Sequence, residues 1–159
     1  MSTYAAQTSV SVEKSQAELQ RVLTRWGADQ YAFGWEAARA VVGFRAQNRN
    51  VRFVLELPSI DDYARTPKQR YLRDPETQQK AWEQACRQQW RSLVLTVKAK
   101  LEAVESGIAT FEDEFLPYTL LPSGETVAEW VGPQIDQAIE TGAMPDSLPG
   151  MARALPPAT

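Results

Sequence analysis

Arg45 and Arg52, lying among the small residues Ala32, Gly34 and Gly43, are the side chains best placed for chemistry in this sequence, and that chemistry is the holding of an anion. Residues 30–57 alternate as three strands: Tyr31, Phe33 and Trp35, then Ala40, Val42 and Phe44, then Val51, Phe53, Leu55 and Leu57. A tight turn at Ala37–Ala38 pairs Trp35 with Ala40, Phe33 with Val42 and Tyr31 with Phe44. A second turn at Asn48–Arg49 pairs Phe44 with Phe53 and Val42 with Leu55. Both registers gather the large apolar side chains on one face, which is how burial selects a register. They also set Arg45 opposite Arg52 on the other face. Like charges directly opposite are unfavourable, so a bound anion or a carboxylate is expected between them. Gln30, beside Arg45, adds a hydrogen-bonding group, and the small neighbours admit a flat or extended partner close to the backbone. The competing reading is structural: Glu36, Glu56 or the C-terminal segment neutralises the arginines, and helix covers Val41 and Val54.

Two further groups of cations call for the same weighing. Arg65, Lys68, Arg70 and Arg73 interleave with Tyr63 and Tyr71, the combination of cations and stacking rings that suits single-stranded nucleic acid. Asp61, Asp62 and Asp74 offset that charge, which also fits a plain solvated loop. Farther on, Lys80, Arg87, Arg91 and Lys98 fall on one line of a helix, spanning roughly 27 Å, a length that could follow a phosphate backbone. Glu76–Lys80, Glu83–Arg87 and Lys98–Glu102 have the i, i+4 spacing of helix-stabilising pairs, which leaves Arg91 as the cation of the row without such a partner. The acidic run Glu112–Glu114 reads as a helix start capped by Thr110 with Asp113, since adjacent carboxylates on a helical turn point different ways. Cys86 sits on an apolar stripe as a small core residue; Trp26, Trp82 and Trp130 fit core roles, and Trp90, at the edge of that stripe beside Arg87 and Arg91, is the tryptophan for which core and exposed positions both stay open.

What is absent narrows the chemistry more firmly. The 159 residues contain no histidine and one cysteine. That removes imidazole-based nucleophilic catalysis, histidine-ligated zinc and an internal disulfide. No catalytic residue, cofactor or metal ligand is assigned, although carboxylate or Mg²⁺ chemistry stays open as the third choice. With a net charge of −3 the chain is no bulk polycation, so any nucleic-acid contact must be a local patch. No apolar run has the length needed to cross a bilayer, and the N-terminus lacks a charged n-region and an apolar h-region. The expectation is a soluble protein acting in a cytoplasm, with no membrane partner.

These residues need a scaffold, and the chain spells out most of one. Residues 1–10 read as a polar arm, 11–142 as a single α+β domain, and 143–159 as a Pro-rich disordered tail. A helix over 12–26 carries Leu19, Val22, Leu23 and Trp26 on one stripe, begins in a Ser15/Glu18 capping box or at Ser11, and stops at Gly27. The three-stranded antiparallel meander follows. After a loop over 58–75, a long helix from about Glu76 to Ser106 presents Trp82, Cys86, Trp90, Leu93, Val97, Leu101 and Val104 to the meander. Tyr118–Leu121 is a candidate fourth strand. A helical C-terminal addition starts at Thr126, boxed by Glu129, and meets Pro133, a potential break. The α-β-β-β-α order also occurs in double-stranded RNA-binding domains and in strand-annealing proteins, an analogy of fold alone.

The stretch WEQACRQQWRSLVLTVKAKLEAVESGIATFEDEFL (82–116), with SVEKSQAELQRVL, WGADQYAFGW and LPSGETVAEWVGPQI, resembles a family of uncharacterised small proteins encoded by bacteriophages and prophages. The resemblance covers about residues 9–145. It implies a phage or mobile-element origin and action in the cytoplasm of a bacterial host, in DNA processing or in interference with host defence. It transfers no residue role. The functional expectation is a non-catalytic accessory protein that binds nucleic acid or a host nucleoprotein through Gln30, Arg45, Arg52, Arg65, Lys68, Arg70, Arg73 and Arg91. The alternative is a protein–protein inhibitor of a host defence or replication factor.

Overall fold

The computed structural model describes residues 8–36, 38–68 and 71–143. The Pro-rich tail from 144 onward, most of the polar arm, Ala37 of the first turn and Arg70 of the basic loop lie outside the described residues. The order of elements is α1 (Val12–Arg25), β1 (Gln30–Glu36), β2 (Arg39–Ala46), β3 (Arg49–Glu56), α2 (Pro75–Glu105), α3 (Phe111–Phe115) and α4 (Val127–Thr141). This is the expected α+β architecture, with an N-terminal helix leading into a three-stranded antiparallel sheet in the order β1-β2-β3.

Local sequence explains where each helix begins. Ser11, not Ser15, caps α1 by accepting from the Lys14 amide. Ser15 is instead fully buried, which frees Glu18 from any capping duty. Asp74 caps α2 through the Thr77 amide, with Pro75 in the first turn where its missing N–H costs nothing. Thr110 caps α3, and Thr126 with Glu129 forms a reciprocal capping box at α4. The α4 helix runs through Pro133 to Gly142, whose φ of 68° is the left-handed stop.

The β1–β2 register is the one the alternation predicts: Tyr31 opposite Phe44, Phe33 opposite Val42, Trp35 opposite Ala40. The β2–β3 register differs from expectation by two residues. Phe44 faces Val51, Val42 faces Phe53, and Arg45 faces Asn50, while Arg52 faces Gly43. The turn sits at Gln47–Asn48, both at positive φ (48° and 59°), the geometry of a two-residue hairpin that follows the twist of the strands. A shift of two leaves every side chain on its original face, so the faces were correctly assigned while the facing arginines were not.

One face of the meander closes the core. Leu19 and Leu23 of α1, Val42, Phe44, Val51 and Phe53 of the sheet, Trp90, Val94, Val97 and Leu101 of α2, and Phe111 and Phe115 of α3 form a single buried cluster. Phe115 is its hub: it meets Phe44 and Phe53 edge-on at 5.8 and 6.4 Å and stacks on Phe111 at 4.6 Å. Trp90, at the edge of the α2 stripe, is 3% exposed and packs in a T-shaped contact with Phe33. Tyr118–Leu121 is not a fourth strand. Residues 116–118 form a 3-10 turn, followed by single bridges from Thr119 to Val51 and from Leu120 to Thr126. Pro117 and Pro122 bracket the segment too closely for a longer ladder.

Candidate functional site

The outer face of the meander presents even-numbered residues of β1 and β3 and odd-numbered residues of β2. Gln30, Ala32, Gly34, Asn50 and Val54 are exposed there, and Val41, Gly43, Arg45 and Arg52 are half-buried. Val54 retains 43% of its surface, so the helical cover of the competing structural reading does not reach that point among the described residues. What does reach the face comes from the C-terminal segment: the Leu120 amide donates to the Asn50 carbonyl at 2.8 Å. A concavity of about 580 Å³ opens beside it, lined by Asp29, Gln30, Gly43, Arg45, Asn50 and Leu120.

Arg45 and Arg52 each already have a carboxylate, while Arg39, the third arginine of this face, is exposed in register with Glu56. Arg45 grips Asp29 with both arms of its guanidinium, Nε to Oδ1 at 2.8 Å and Nη2 to Oδ2 at 2.7 Å. That two-pronged contact holds the Asp29 carboxyl below its usual range. Arg52 donates to the Gly124 carbonyl at 3.0 Å and to Glu129 at 2.5 Å, while its Nε is buried with no partner. Glu129 thus caps α4 and anchors Arg52 together. The Thr126 amide, more than the guanidinium, keeps its carboxyl below the ordinary value. Because Arg45 and Arg52 are diagonal and not opposed, the repulsion that called for an anion between them is relieved without one.

The remaining candidates are dispersed. Arg91 and Lys98 converge on one carboxylate of α1, Glu18, at 2.6 and 3.1 Å, so the cationic row of α2 fastens two helices together. Lys80 pairs with Glu76 within its own turn, and Arg87 donates to Gln84. In the basic loop, Arg73 donates to the backbone carbonyls of Tyr63 and Arg65 at 2.9 and 2.6 Å, stapling a narrow turn in which Arg65 bridges to Leu72. Gln78 and Trp82 hold that loop to the start of α2 through the Ile60 and Pro58 carbonyls. Arg65 and Lys68 make no ion pair among the described residues. The loop, the α2 row and the outer sheet face are therefore three places, not one site.

The acidic run also divides. Glu112 lies 3.5 Å from Arg49, Asp113 accepts from Thr110, and Glu114 reaches Lys100 at 3.1 Å. Cys86 is buried and desolvation pushes its thiol up, which disfavours the nucleophilic thiolate.

Comparison of the chain with protein-family models, curated proteins and solved structures returns no match.

Sequence reasoning passed over two features of the surface. Asp29, the residue just before β1, forms the bidentate clamp on Arg45; the Gln30–Arg45 register signals its proximity. Phe33 and Trp35, assigned to the core by their alternation, are 41% and 76% exposed, because they line an open cleft shared with Val12 of α1 and Trp90 of α2.

Proposed function

We propose that this chain is a binding protein of phage type, without catalytic activity of its own, that engages a bacterial protein through the open outer face of the meander. The observation that carries the reading is the pairing of Arg45 with Asp29 and of Arg52 with Glu129 on a face whose centre, Ala32, Gly34 and Gly43, is small. A polyanion approaching that face meets two carboxylates with the two guanidinium groups. A protein surface of mixed polarity meets hydrogen-bonding groups, small residues and an exposed valine, as in an ordinary non-obligate interface. The sequence resemblance to phage-encoded proteins directs the search for the partner toward host defence and replication factors.

The test uses the tagged full chain as bait on nuclease-treated bacterial lysate, beside a Gly43→Lys variant. A Cβ at Gly43 meets the Val51 and Ala32 carbonyls at 3.8 and 4.0 Å, ordinary contact, so the backbone admits a side chain there. The lysine raises a cationic ridge in the middle of the face, and an unchanged circular dichroism spectrum checks that the variant is folded. Loss of a specific protein partner in the variant supports the reading. Retention of that partner overturns it, as does binding of short DNA or RNA, titrated separately against both proteins, that strengthens with the added lysine.

A second reading is nucleic-acid binding at the basic loop, favoured by Arg65 and Lys68, which are free of ion pairs among the described residues, beside a 72% exposed Tyr71. Binding of short single strands that falls steeply with salt, and that Arg65→Ala/Lys68→Ala abolishes, identifies it.

A further inference from the structure

The two edges of the sheet are finished differently. At β3, Thr119 bridges to Val51, Leu120 donates to the Asn50 carbonyl, and Arg52 ties down Gly124 and Glu129. C-terminal chain thus stands against that edge. At the other edge, among the described residues, β1 pairs with β2 alone. Its register is unbroken by any bulge, and residues 30–36 contain no proline and no lysine, the usual guards of an open edge. The same strand carries Tyr31, Phe33 and Trp35 in a row with ring centroids 6.2 and 6.4 Å apart. An unguarded edge and an aromatic row in which Phe33 and Trp35 are exposed, with Tyr31 half-buried against the core, are separate observations on one seven-residue strand.

We infer that β1 pairs with β1 of a second copy of this chain, antiparallel about a two-fold axis at Phe33, joining two three-stranded meanders into one continuous sheet. The strand is self-complementary about that residue. Phe33 opposes Phe33, Tyr31 opposes Trp35, Ala32 opposes Gly34, and Gln30 opposes Glu36. Aromatic residues meet aromatic residues on one face, which is a stabilising cross-strand pairing, small residues meet on the other, and no like charges are opposed. Moving the axis to Ala32 sets Trp35 against Asp29, and moving it to Gly34 leaves Tyr31 without an aromatic opposite. The register centred on Phe33 is the one that satisfies all three rings. A heterologous strand would have to reproduce this pattern by chance, whereas a second copy supplies it by symmetry.

The exposed fractions of Phe33 and Trp35 place roughly 250 Å² per protomer at the seam. With the strand backbone and the adjoining cleft of Val12, Leu57 and Trp90, the interface falls at the small end of specific contacts. Dissociation in the micromolar range is therefore expected.

The test is sedimentation equilibrium of the full chain from low micromolar to several hundred micromolar. The expected result is a reversible monomer–dimer equilibrium. Trp35→Lys and Phe33→Lys each render the chain monomeric with an unchanged circular dichroism spectrum. Phe33→Lys mixed with Phe33→Glu restores a heterodimer, because the two-fold axis sets residue 33 against itself. A monomer at every concentration overturns the inference, as does a dimer indifferent to Trp35→Lys. Folded Phe33→Lys and Phe33→Glu proteins that stay monomeric when mixed overturn the register. Trp35 is exposed enough for its lysine variant to fold, so it decides the question even where the Phe33 variants do not. The mass readout is independent of any partner on the outer face.

Discussion

Arg52 is either a ligand-binding group or a clamp, and a double-mutant cycle with Glu129 separates the two. Its side chain is 26% exposed and that of Glu129 is 49% exposed, so the pair sits between a solvated and a buried ion pair. Such a pair contributes about 0.5–1 kcal/mol. The hydrogen bond to the Gly124 carbonyl adds about 1 kcal/mol. Arg52→Ala is therefore expected to cost about 1.5–2 kcal/mol, which lowers Tm by about 3–8 °C in a domain of this size. Glu129→Gln keeps an oxygen for the Thr126 amide and loses the charge, for about 0.5–1 kcal/mol. Glu129→Ala also loses the cap, for about 1 kcal/mol more. Urea denaturation of wild type, Arg52→Ala, Glu129→Gln and the double variant gives the coupling directly, expected at about 0.5–1 kcal/mol. Strict additivity would refute the clamp. A neutral or stabilising Arg52→Ala would refute it more sharply, because it would mark a guanidinium held in place for an external anion.

Other expectations follow from the same geometry. Gln47→Gly relieves a left-handed residue in the second turn and should stabilise by about 0.5–1 kcal/mol; destabilisation in thermal melts would place the turn elsewhere. The Glu18 carboxyl is pushed up by burial but pulled further down by Lys98 and Arg91, and Asp29 and Glu129 are lowered as well. Lowered carboxylates contribute stability that is full above the ordinary range near pH 4 and lost as pH falls through their folded values. Urea midpoints should thus hold from neutral pH to about 5 and fall below about 4, and Glu18→Gln should be weaker at neutral pH with a shallower acid decline. Phe115→Ala empties a fully buried position between Phe44, Phe53 and Phe111 and should cost about 3–5 kcal/mol, a large share of the stability of any domain, read as a collapse of the urea midpoint.

The alternation of residues 30–57 revealed the sheet, its faces and one of its two registers, because a buried face constrains parity strongly. It did not separate two β2–β3 registers that differ by two residues, since period-two alternation is identical in both. The turn decided between them: Asn48 lies in either candidate loop, and the left-handed conformation of Gln47 has no strong local signature. Alternation likewise says which face Phe33 and Trp35 occupy and nothing about how far the helices beneath extend. Pairs within a helix, such as Glu76–Lys80, were readable from spacing. The pairs that disperse the candidate site were not, because Glu18–Arg91, Asp29–Arg45 and Glu129–Arg52 join segments 73, 16 and 77 residues apart. Arg73 illustrates the same limit, for its partners are backbone carbonyls that any residue could have supplied.

The closure of the β3 edge also orders events during synthesis. The hairpins of the meander form from neighbouring residues, but the segment that shields β3 arrives much later along the chain, Gly124 and Glu129 lying 72 and 77 residues beyond Arg52. A nascent polypeptide released before that point would carry a sheet open on both sides, able to polymerise strand to strand. Arrival of Thr119, Gly124 and Glu129 caps one side and leaves growth in a single direction, which a two-fold pairing at β1 then ends. The C-terminal addition serves in this sense as a stop signal for assembly, and a premature truncation ahead of residue 119 would yield insoluble chains instead of a smaller folded domain.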